Sequence, residues 1–249
     1  MYRFVQLPNL PAGKVCTVIA GEDCAKLFGA RLSEMGIRVL SCPKNPHLDP
    51  RLASHVDLSV FHMGQNSFLL AEYLKGTELE KSLNELGAEL KFSALRQGSR
   101  YPADAGLCAL SAGIRVFHNS SITAREIMSD CKPLVHVRQG YAKCTVCLVS
   151  ENAAISADRG MADALRNSGL EVLKIRPGFI GLSGYSEGFI GGAAFKASAE
   201  RLVFFGDIEA HPDFAAISEF LSKHGVVPVS LGEGELLDMG SVIPICEEM

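Results

Sequence analysis

Apolar and polar positions along this chain follow a pattern that recurs four times. Each time, an amphipathic stretch with helical spacing ends in a leucine, three further residues and a glycine, and an apolar strand-like run follows. The four segments from the leucine to the glycine are Leu32 to Gly36, Leu83 to Gly87, Leu165 to Gly169 and Leu221 to Gly225. Glycine ends a helix readily because it adopts the left-handed conformation without a Cβ clash. The recurrence predicts a fold built from like units.

Pairs of short strands joined by turns precede the helices, so each unit is predicted to run strand, strand, helix, strand. The predicted pairs are Leu58 to Phe61 with Ser67 to Ala71, Leu107 to Leu110 with Ile114 to His118, Thr145 to Val149 with Ala153 to Ser156, and Ala193 to Phe195 with Leu202 to Phe205. In the second unit the helix is short, Ala124 to Ser129, and ends near Cys131 without a glycine.

A fifth unit is predicted to be split between the two ends of the chain. Leu236 to Ile245 supplies its strand pair, and Lys14 to Ser41 supplies a strand, a helix and a strand. We therefore expect the termini to lie side by side and residues 1–249 to form a single α/β domain.

Composition narrows the class of protein. The chain has 249 residues, of which 47% are hydrophobic, and a net charge of −4 without any run of basic residues. No nucleic acid partner is expected from this charge pattern, and no apolar stretch approaches the roughly 20 residues that cross a bilayer. The first residues lack the features of a signal peptide, so a cytoplasmic location is expected, with the eight cysteines as free thiols.

Cys144 is the cysteine singled out for chemistry. With Cys147 it forms a CxxC pair, but the run from Cys144 to Val149 is predicted to be a strand. Residues three apart on a strand point to opposite faces, so the two thiols are not expected to share a metal ion or a disulfide. Cys144 follows a sharp turn at Gly140, whereas Cys16, Cys24, Cys42, Cys108 and Cys131 are interpreted as core residues and Cys246 as a strand residue.

His55 and Asp57 form the second candidate group. On an extended backbone they share one face and present an imidazole beside a carboxylate. Such a pair serves either as a general base with its orienting acid or as two metal ligands. The structural alternative is a loop histidine beside an aspartate that ends a turn.

Two further motifs are interpreted structurally. The segment from Gly188 to Gly192 has no helix behind it, so its glycines indicate close backbone approach rather than nucleotide binding. Asp207, His211 and Asp213 could form a metal triad, but Pro212 favours the start of a helix with Asp213 in its first turn.

Taken together, five strand-strand-helix-strand units, the His55-Val56-Asp57 segment and a glycine-containing turn before Cys144 resemble the pentein fold of guanidine-modifying enzymes. In detail the chain resembles an uncharacterised bacterial family of this fold. That likeness rests on Gln139 to Cys144, Gly188 to Gly192, Phe205 to Asp207 and Asp238 to Pro244. The resemblance implies a pentein-like α/β propeller, with five ββαβ units around a pseudo-fivefold axis.

The resemblance also implies a site and an activity. Cys144 would be the nucleophile, His55 the general acid/base, and Asp57 a group that grips the substrate. The acidic segment of the characterised enzymes has no carboxylate at its counterpart here, around Gly191 and Gly192, so Asp238 or Glu187 would replace it. Asp238 is expected to be catalytic, and Glu187, Gly191 and Gly192 are expected to bind the substrate with Asp57. The expected substrate is a small amidine or guanidine, and no cofactor or metal is expected.

Two alternatives stay open: a catalytically silent binding protein of the same fold, similar to a ribosome-associated translation factor, and a metal-dependent enzyme that uses His55, Asp57 and His211.

Overall fold

The computed structural model describes residues 1–129 and 132–249, in which strands and helices alternate along the chain. The strands are β1 (Tyr2–Phe4), β2 (Val15–Gly21), β3 (Arg38–Cys42), β4 (Val60–Gly64), β5 (Ser67–Ala71), β6 (Glu89–Ser93), β7 (Leu110–Ala112), β8 (Arg115–His118), β9 (Leu134–His136), β10 (Val146–Ser150), β11 (Ala153–Ser156), β12 (Glu171–Lys174), β13 (Ile180–Gly181), β14 (Ala194–Ser198), β15 (Arg201–Phe204), β16 (Val227–Ser230), β17 (Leu236–Leu237) and β18 (Val242–Glu248). The α-helices are α1 (Glu22–Glu34), α2 (Glu78–Glu85), α3 (Arg125–Met128), α4 (Ala142–Thr145), α5 (Arg159–Asn167) and α6 (Phe214–Lys223).

Five small sheets contain most of these strands, and we number them I to V. Sheets I to IV are β4-β5-β6, β7-β8-β9, β10-β11-β12 and β14-β15-β16, and sheet V is β1-β18-β2-β3. In each of sheets I to IV the first pair is antiparallel and the second is parallel, and β18, β2 and β3 repeat this order in sheet V. The fold is therefore mixed α/β with small sheets.

The chain ends meet in sheet V, as predicted. The strand pair predicted over Leu236 to Ile245 is not found, because β17 pairs with β13 and β18 pairs with β2. Strand β1 near the N-terminus pairs with β18 near the C-terminus, with Phe4 opposite Cys246.

Of the predicted strands, Ser67–Ala71 and Ala153–Ser156 are found with those bounds. The core position predicted for Cys131 lies outside the described residues.

The recurrent leucine and glycine have one structural cause at all four helix ends. Gly36, Gly87, Gly169 and Gly225 all have positive φ. In each case the residue after the glycine donates its N–H to the carbonyl of the leucine, at 2.9 to 3.1 Å. This is the Schellman arrangement, which satisfies a carbonyl at the helix end and brings an apolar residue back onto the leucine. The side chains of these leucines are fully buried.

Hydrophobic clusters connect each sheet to two others. Alternate residues of one strand pack against the two neighbouring sheets. In β10, Val146 and Leu148 pack towards sheet II, whereas Cys147 and Val149 pack towards sheet IV. Other clusters join sheet I to sheet II, sheet IV to sheet V, and sheet V to sheet I. The alternation explains why these strands are apolar on both faces. Within the described residues no sheet closes on itself.

Among the helices of residues 1–129 and 132–249, none has both the length and the apolar character needed to cross a membrane.

Candidate active site

Four of the residues given chemical roles in the sequence come from segments that precede the first strand of a strand-strand-helix-strand unit. His55 and Asp57 precede β4, Cys144 precedes β10, and Asp238 precedes β18. Ligand atoms of Cys144, His55 and Asp238 lie within 4.8 Å of one another. The Cys144 Sγ donates a hydrogen bond of 2.7 Å to Asp57 Oδ2. One thiol, one imidazole and two carboxylates thus meet in a buried cluster.

Cys144 lies in the short helix α4, so the strand predicted for it is wrong; β10 begins only at Val146. The expected separation from Cys147 is nevertheless found. Cys147 packs between sheets III and IV, whereas Cys144 packs with Cys108 and Leu52 beside a cavity. The two thiols are separated because a helical turn, rather than strand alternation, carries Cys144 inward.

His55 and Asp57 do not lie on an extended strand either. Residues Val56–Leu58 form a 3₁₀ turn that His55 precedes. Gly240 fixes this turn: its carbonyl accepts the Asp57 N–H at 3.3 Å, and a Cβ on Gly240 would lie 2.3 Å from His55 Cα. The shared face that was expected from alternation is therefore replaced by a turn that sends both side chains towards Cys144.

The carboxylate of Asp238 is held by backbone donors. Its Oδ2 accepts from the N–H of Phe189 at 2.9 Å, and its Oδ1 accepts from the N–H of Gly240 at 2.9 Å. A Cβ on Gly188 or Gly192 would lie 2.5 or 1.9 Å from atoms of Asp238. The glycine-rich segment is thus explained by close approach to Asp238, in agreement with the structural interpretation of its sequence.

Gly191 and Gly192 do not line the cavity beside Cys144. The N–H of Gly192 donates to the carbonyl of Cys144 at 3.0 Å, and its own carbonyl accepts the N–H of Ser241. The hydroxyl of Ser241 donates to the carbonyl of Gly191 at 2.7 Å and accepts from Lys143 Nζ at 3.1 Å. These contacts tie the loops of sheets III, IV and V together.

A cavity of about 240 Å³ opens above the cluster. Cys144, His55 and Asp238 form part of its wall, and Glu187 lies on it as well. The remaining lining residues are mainly apolar or aromatic: Leu52, Leu58, Tyr141, Leu182, Tyr185, Ser186 and Phe189. Asp57 does not line the cavity; it contacts Cys144 from behind.

The surroundings of the thiol keep it protonated. The pKa of Cys144 is raised well above its usual value by the hydrogen bond with Cys108, by burial, and by the negative charge of Asp57. Burial raises the pKa of Asp57, against the opposing effect of His55. A cation bound beside Cys144 would reverse part of this effect, since an opposite charge favours the thiolate.

Cys108 is a site residue that the sequence interpretation missed. Its Sγ lies 3.9 Å from that of Cys144, and burial raises its pKa. Its position just before β7 matches the position of Cys144 before β10, which is the signal that could have found it. Tyr141 was also missed: its hydroxyl donates to Asp104 Oδ2 at 2.6 Å while its ring lines the cavity.

Two triples of side chains have ligand atoms close enough for one metal ion: His55, Cys144 and Asp238, and Asp57, Cys108 and Cys144. His211 belongs to neither triple within the described residues. It lies before α6, where its Nδ1 accepts the N–H of Asp213. Asp213 is the N-cap of α6 and binds Arg176, so the predicted helix entrance is found one residue later than expected.

Comparison with known proteins identifies the family. The profile of a family of unknown function, DUF6873, matches residues 19–243. The chain belongs to this family. No protein of curated function matches the sequence.

Solved structures similar to this member of the family are pentein-fold guanidine-modifying enzymes. The inosamine-phosphate amidinotransferase StrB1 of Streptomyces griseus is 12% identical with a TM-score of 0.60, and covers 97% of this chain and 96% of its own. SxtG, an amidinotransferase of Microseira wollei in the saxitoxin biosynthetic pathway, is 11% identical with a TM-score of 0.55, covering 90% and 92%. A cysteine-to-serine mutant of DDAH from Pseudomonas aeruginosa, complexed with citrulline, is 9% identical with a TM-score of 0.50, covering 88% and 92%. At these identities the likeness shows the fold alone.

Proposed function

We propose that this protein is a thiol-dependent hydrolase or transferase that acts on a small amidine or guanidine. The observation that carries the proposal is the convergence of Cys144, His55 and Asp238 on the wall of one cavity, with ligand atoms within 4.8 Å of one another. The likeness in fold to amidinotransferases supports the same kind of substrate.

The proposed reaction assigns each group a step. The Sγ of Cys144 attacks the amidinium carbon, and its proton passes to His55, directly or through one water. His55 then protonates the leaving amine as the carbon–nitrogen bond breaks, which leaves an amidino group on sulfur. Water or an acceptor amine attacks this carbon and gives a proton to His55, and the sulfur–carbon bond breaks as His55 returns that proton to sulfur and restores the thiol.

The acidic groups of the site complement an amidinium. Asp238 and Glu187 line the cavity, and carboxylates match the N–H donors of such a cation. We assign Asp57 a positioning role, because it contacts the thiol without lining the cavity. Gly192 is given a positioning role in the same way, through Asp238 and the Cys144 carbonyl, and Gly191 through its own carbonyl, which accepts the hydroxyl of Ser241.

The proposal includes a finer description of the fold. We infer one domain over residues 1–249 in which the five ββαβ units surround a common axis, as in a propeller. The support is the cyclic order of the hydrophobic clusters, which lead from sheet I through sheets II, III, IV and V back to sheet I. A cytoplasmic location is also part of the proposal, since a reducing compartment keeps such a nucleophile active.

The test is selective modification by 2-chloroacetamidine at neutral pH, mapped by mass spectrometry. We expect one equivalent on Cys144 in the unaltered protein and in Cys147→Ala, a control that removes a buried thiol outside the cavity. Cys144→Ala should not react at comparable rates. Slow and uniform labelling of all the thiols would overturn the proposal.

Uniform labelling would favour a catalytically silent binding protein, which the raised pKa of the Cys144 thiol also suits. The metal-dependent alternative is favoured by the two donor triples, although they exclude His211. Metal analysis of the purified protein distinguishes it: a stoichiometric ion that protects Cys144 from the reagent would favour this alternative.

A further inference from the structure

The wall of the cavity beside Cys144 restricts which amidines or guanidines fit. Its apolar part consists of Leu52, Leu58 and Leu182 with the rings of Tyr141, Tyr185 and Phe189. Among the described residues that line it, none is a lysine or an arginine, and the charged groups are Asp238 and Glu187 with the titratable His55. A ligand that enters this cavity therefore meets negative charge and apolar surface.

The arginine at the rim is already occupied. Arg51 donates to both carboxylate oxygens of Asp49 at 2.7 and 2.8 Å, and to the carbonyl of Gly184 at 2.8 Å. Its guanidinium also lies 4.5 Å from the centre of the Tyr185 ring. The guanidinium of Arg51, which could otherwise bind a carboxylate, is thus bound to Asp49 and to the loop of residues 182–187 at the entrance of the cavity.

The buried lysine near Cys144 offers no substitute. Lys143 directs its Nζ to the hydroxyl of Ser241 at 3.1 Å and does not line the cavity. An α-carboxylate placed in the cavity would therefore lose its hydration without gaining a lysine or arginine as partner, and would face Asp238 and Glu187. Burying a charge in this way is strongly unfavourable.

Size limits the ligand as well. The cavity of about 240 Å³ is below the roughly 300 Å³ at which drug-sized sites begin. It accommodates a planar cationic head and a short stem or one ring. Burial of that stem against leucine and aromatic side chains contributes to binding in proportion to the apolar area covered.

We propose that the substrate class of this site is an amidine or guanidine without a carboxylate, carrying an apolar or aromatic substituent. This inference rests on the proposed function for the reaction, but binding alone tests it. It separates the site from one built for arginine or citrulline, whose amino-acid ends need a cationic partner.

Two matched pairs of ligands test the proposal by isothermal titration calorimetry on the whole protein. Agmatine and arginine differ by one carboxylate, and we expect agmatine to bind at least tenfold more tightly. Benzamidine and the guanidinium ion differ chiefly in the apolar ring, and we expect benzamidine to bind at least tenfold more tightly. Arginine that binds as tightly as agmatine, or guanidinium that binds as tightly as benzamidine, overturns the proposal.

A variant pair adds a test by gain of binding. Leu182→Arg places a cation on the wall, and should reduce or abolish the preference for agmatine over arginine; Leu182→Met is the control and should retain that preference. If Leu182→Arg leaves the ratio unchanged while still folded, the charge argument fails. Benzamidine that binds tenfold more tightly than guanidinium, in a protein that 2-chloroacetamidine does not label, would defeat the proposed reaction but not the substrate class. Labelling of Cys144 by 2-chloroacetamidine that arginine and agmatine slow equally would defeat the substrate class but not the proposed reaction.

Discussion

The thiol of Cys144 and the carboxylate of Asp57 lie 2.7 Å apart and are both buried, although 87 positions separate them in the sequence. The contact joins the loop before β10 to the loop before β4. Among the described residues, Asp57 Oδ1 has no hydrogen-bond partner, whereas Oδ2 accepts the thiol of Cys144. After the hydrogen bond with Cys108 and burial, the charge of Asp57 is a further cause of the raised pKa of the Cys144 thiol.

Asp57→Asn should therefore make Cys144 more reactive towards a neutral reagent. Removing the negative charge lowers the pKa of the thiol, which Asp57 helps to raise. The measurement is the rate of alkylation of Cys144 by iodoacetamide against pH, and the midpoint should move to lower pH. Asp104→Asn is the control, since Asp104 bonds Tyr141 rather than the thiol. A midpoint that stays in place or moves upward would show that Asp57 does not act on the thiol through its charge.

Gly192→Ala should disturb Asp238 and lower stability. The added Cβ would lie 1.9 Å from Asp238 Oδ1, so the carboxylate or the backbone must shift, at a cost of about 1 to 3 kcal/mol. Chemical denaturation measures the loss, and labelling by 2-chloroacetamidine should slow in the folded fraction. Gly29→Ala provides the contrast: it lies within α1 with no atom within 4 Å of the added Cβ, and should raise stability by about 0.5 to 1 kcal/mol. Equal effects of the two substitutions would contradict the close approach of Gly192 to Asp238.

Acid should destabilise the protein in part through His62. Burial lowers the pKa of this side chain from 6.5 to about 4. The unfolded chain therefore binds a proton that the folded chain excludes, and the native state loses stability as the pH falls from 6.5 towards 4. The full loss from this group is on the order of 3 kcal/mol.

His62→Gln removes that titration, so its free energy of unfolding in urea should fall less between pH 7 and pH 4.5 than that of the unaltered protein. His47→Gln, which alters an exposed histidine, should leave the fall unchanged. A pH dependence that is the same in all three proteins would remove His62 as a cause.

Leu165→Ala should cost about 2 to 5 kcal/mol, because it leaves a cavity at the buried end of α5. The carbonyl of residue 165 still accepts the N–H of Leu170, so the loss reports packing rather than the helix end. Thermal or urea unfolding measures it. Leu27→Ala, whose side chain is 64% exposed on α1, should change stability by less than about 0.5 kcal/mol. A small effect at Leu165 would mean that this leucine does not anchor its unit.

Interpretation of local sequence succeeded where the controlling forces are local. The helix ends at Gly36, Gly87, Gly169 and Gly225 follow from the left-handed conformation that glycine adopts, and the strand Ser67–Ala71 follows from its apolar run beside a turn. It was wrong where tertiary contacts decide the backbone. Cys144 lies in a helical turn and Asp57 in a 3₁₀ turn, although both were expected in extended segments.

By itself the sequence determined the strand, strand, helix, strand order of the units and the helix ends at glycine, because periodicity and glycine conformation act over a few residues. The repetition of that order also indicated that the termini meet. Only the tertiary structure decided which side chains share the cavity. In that structure Asp57 contacts the thiol without lining the cavity, Gly192 contacts Asp238 and the Cys144 carbonyl, the carbonyl of Gly191 accepts the hydroxyl of Ser241, and Cys108 lies 3.9 Å from Cys144. These contacts join loops of different sheets, and packing between sheets sets them to within an ångström, a precision that no local pattern contains.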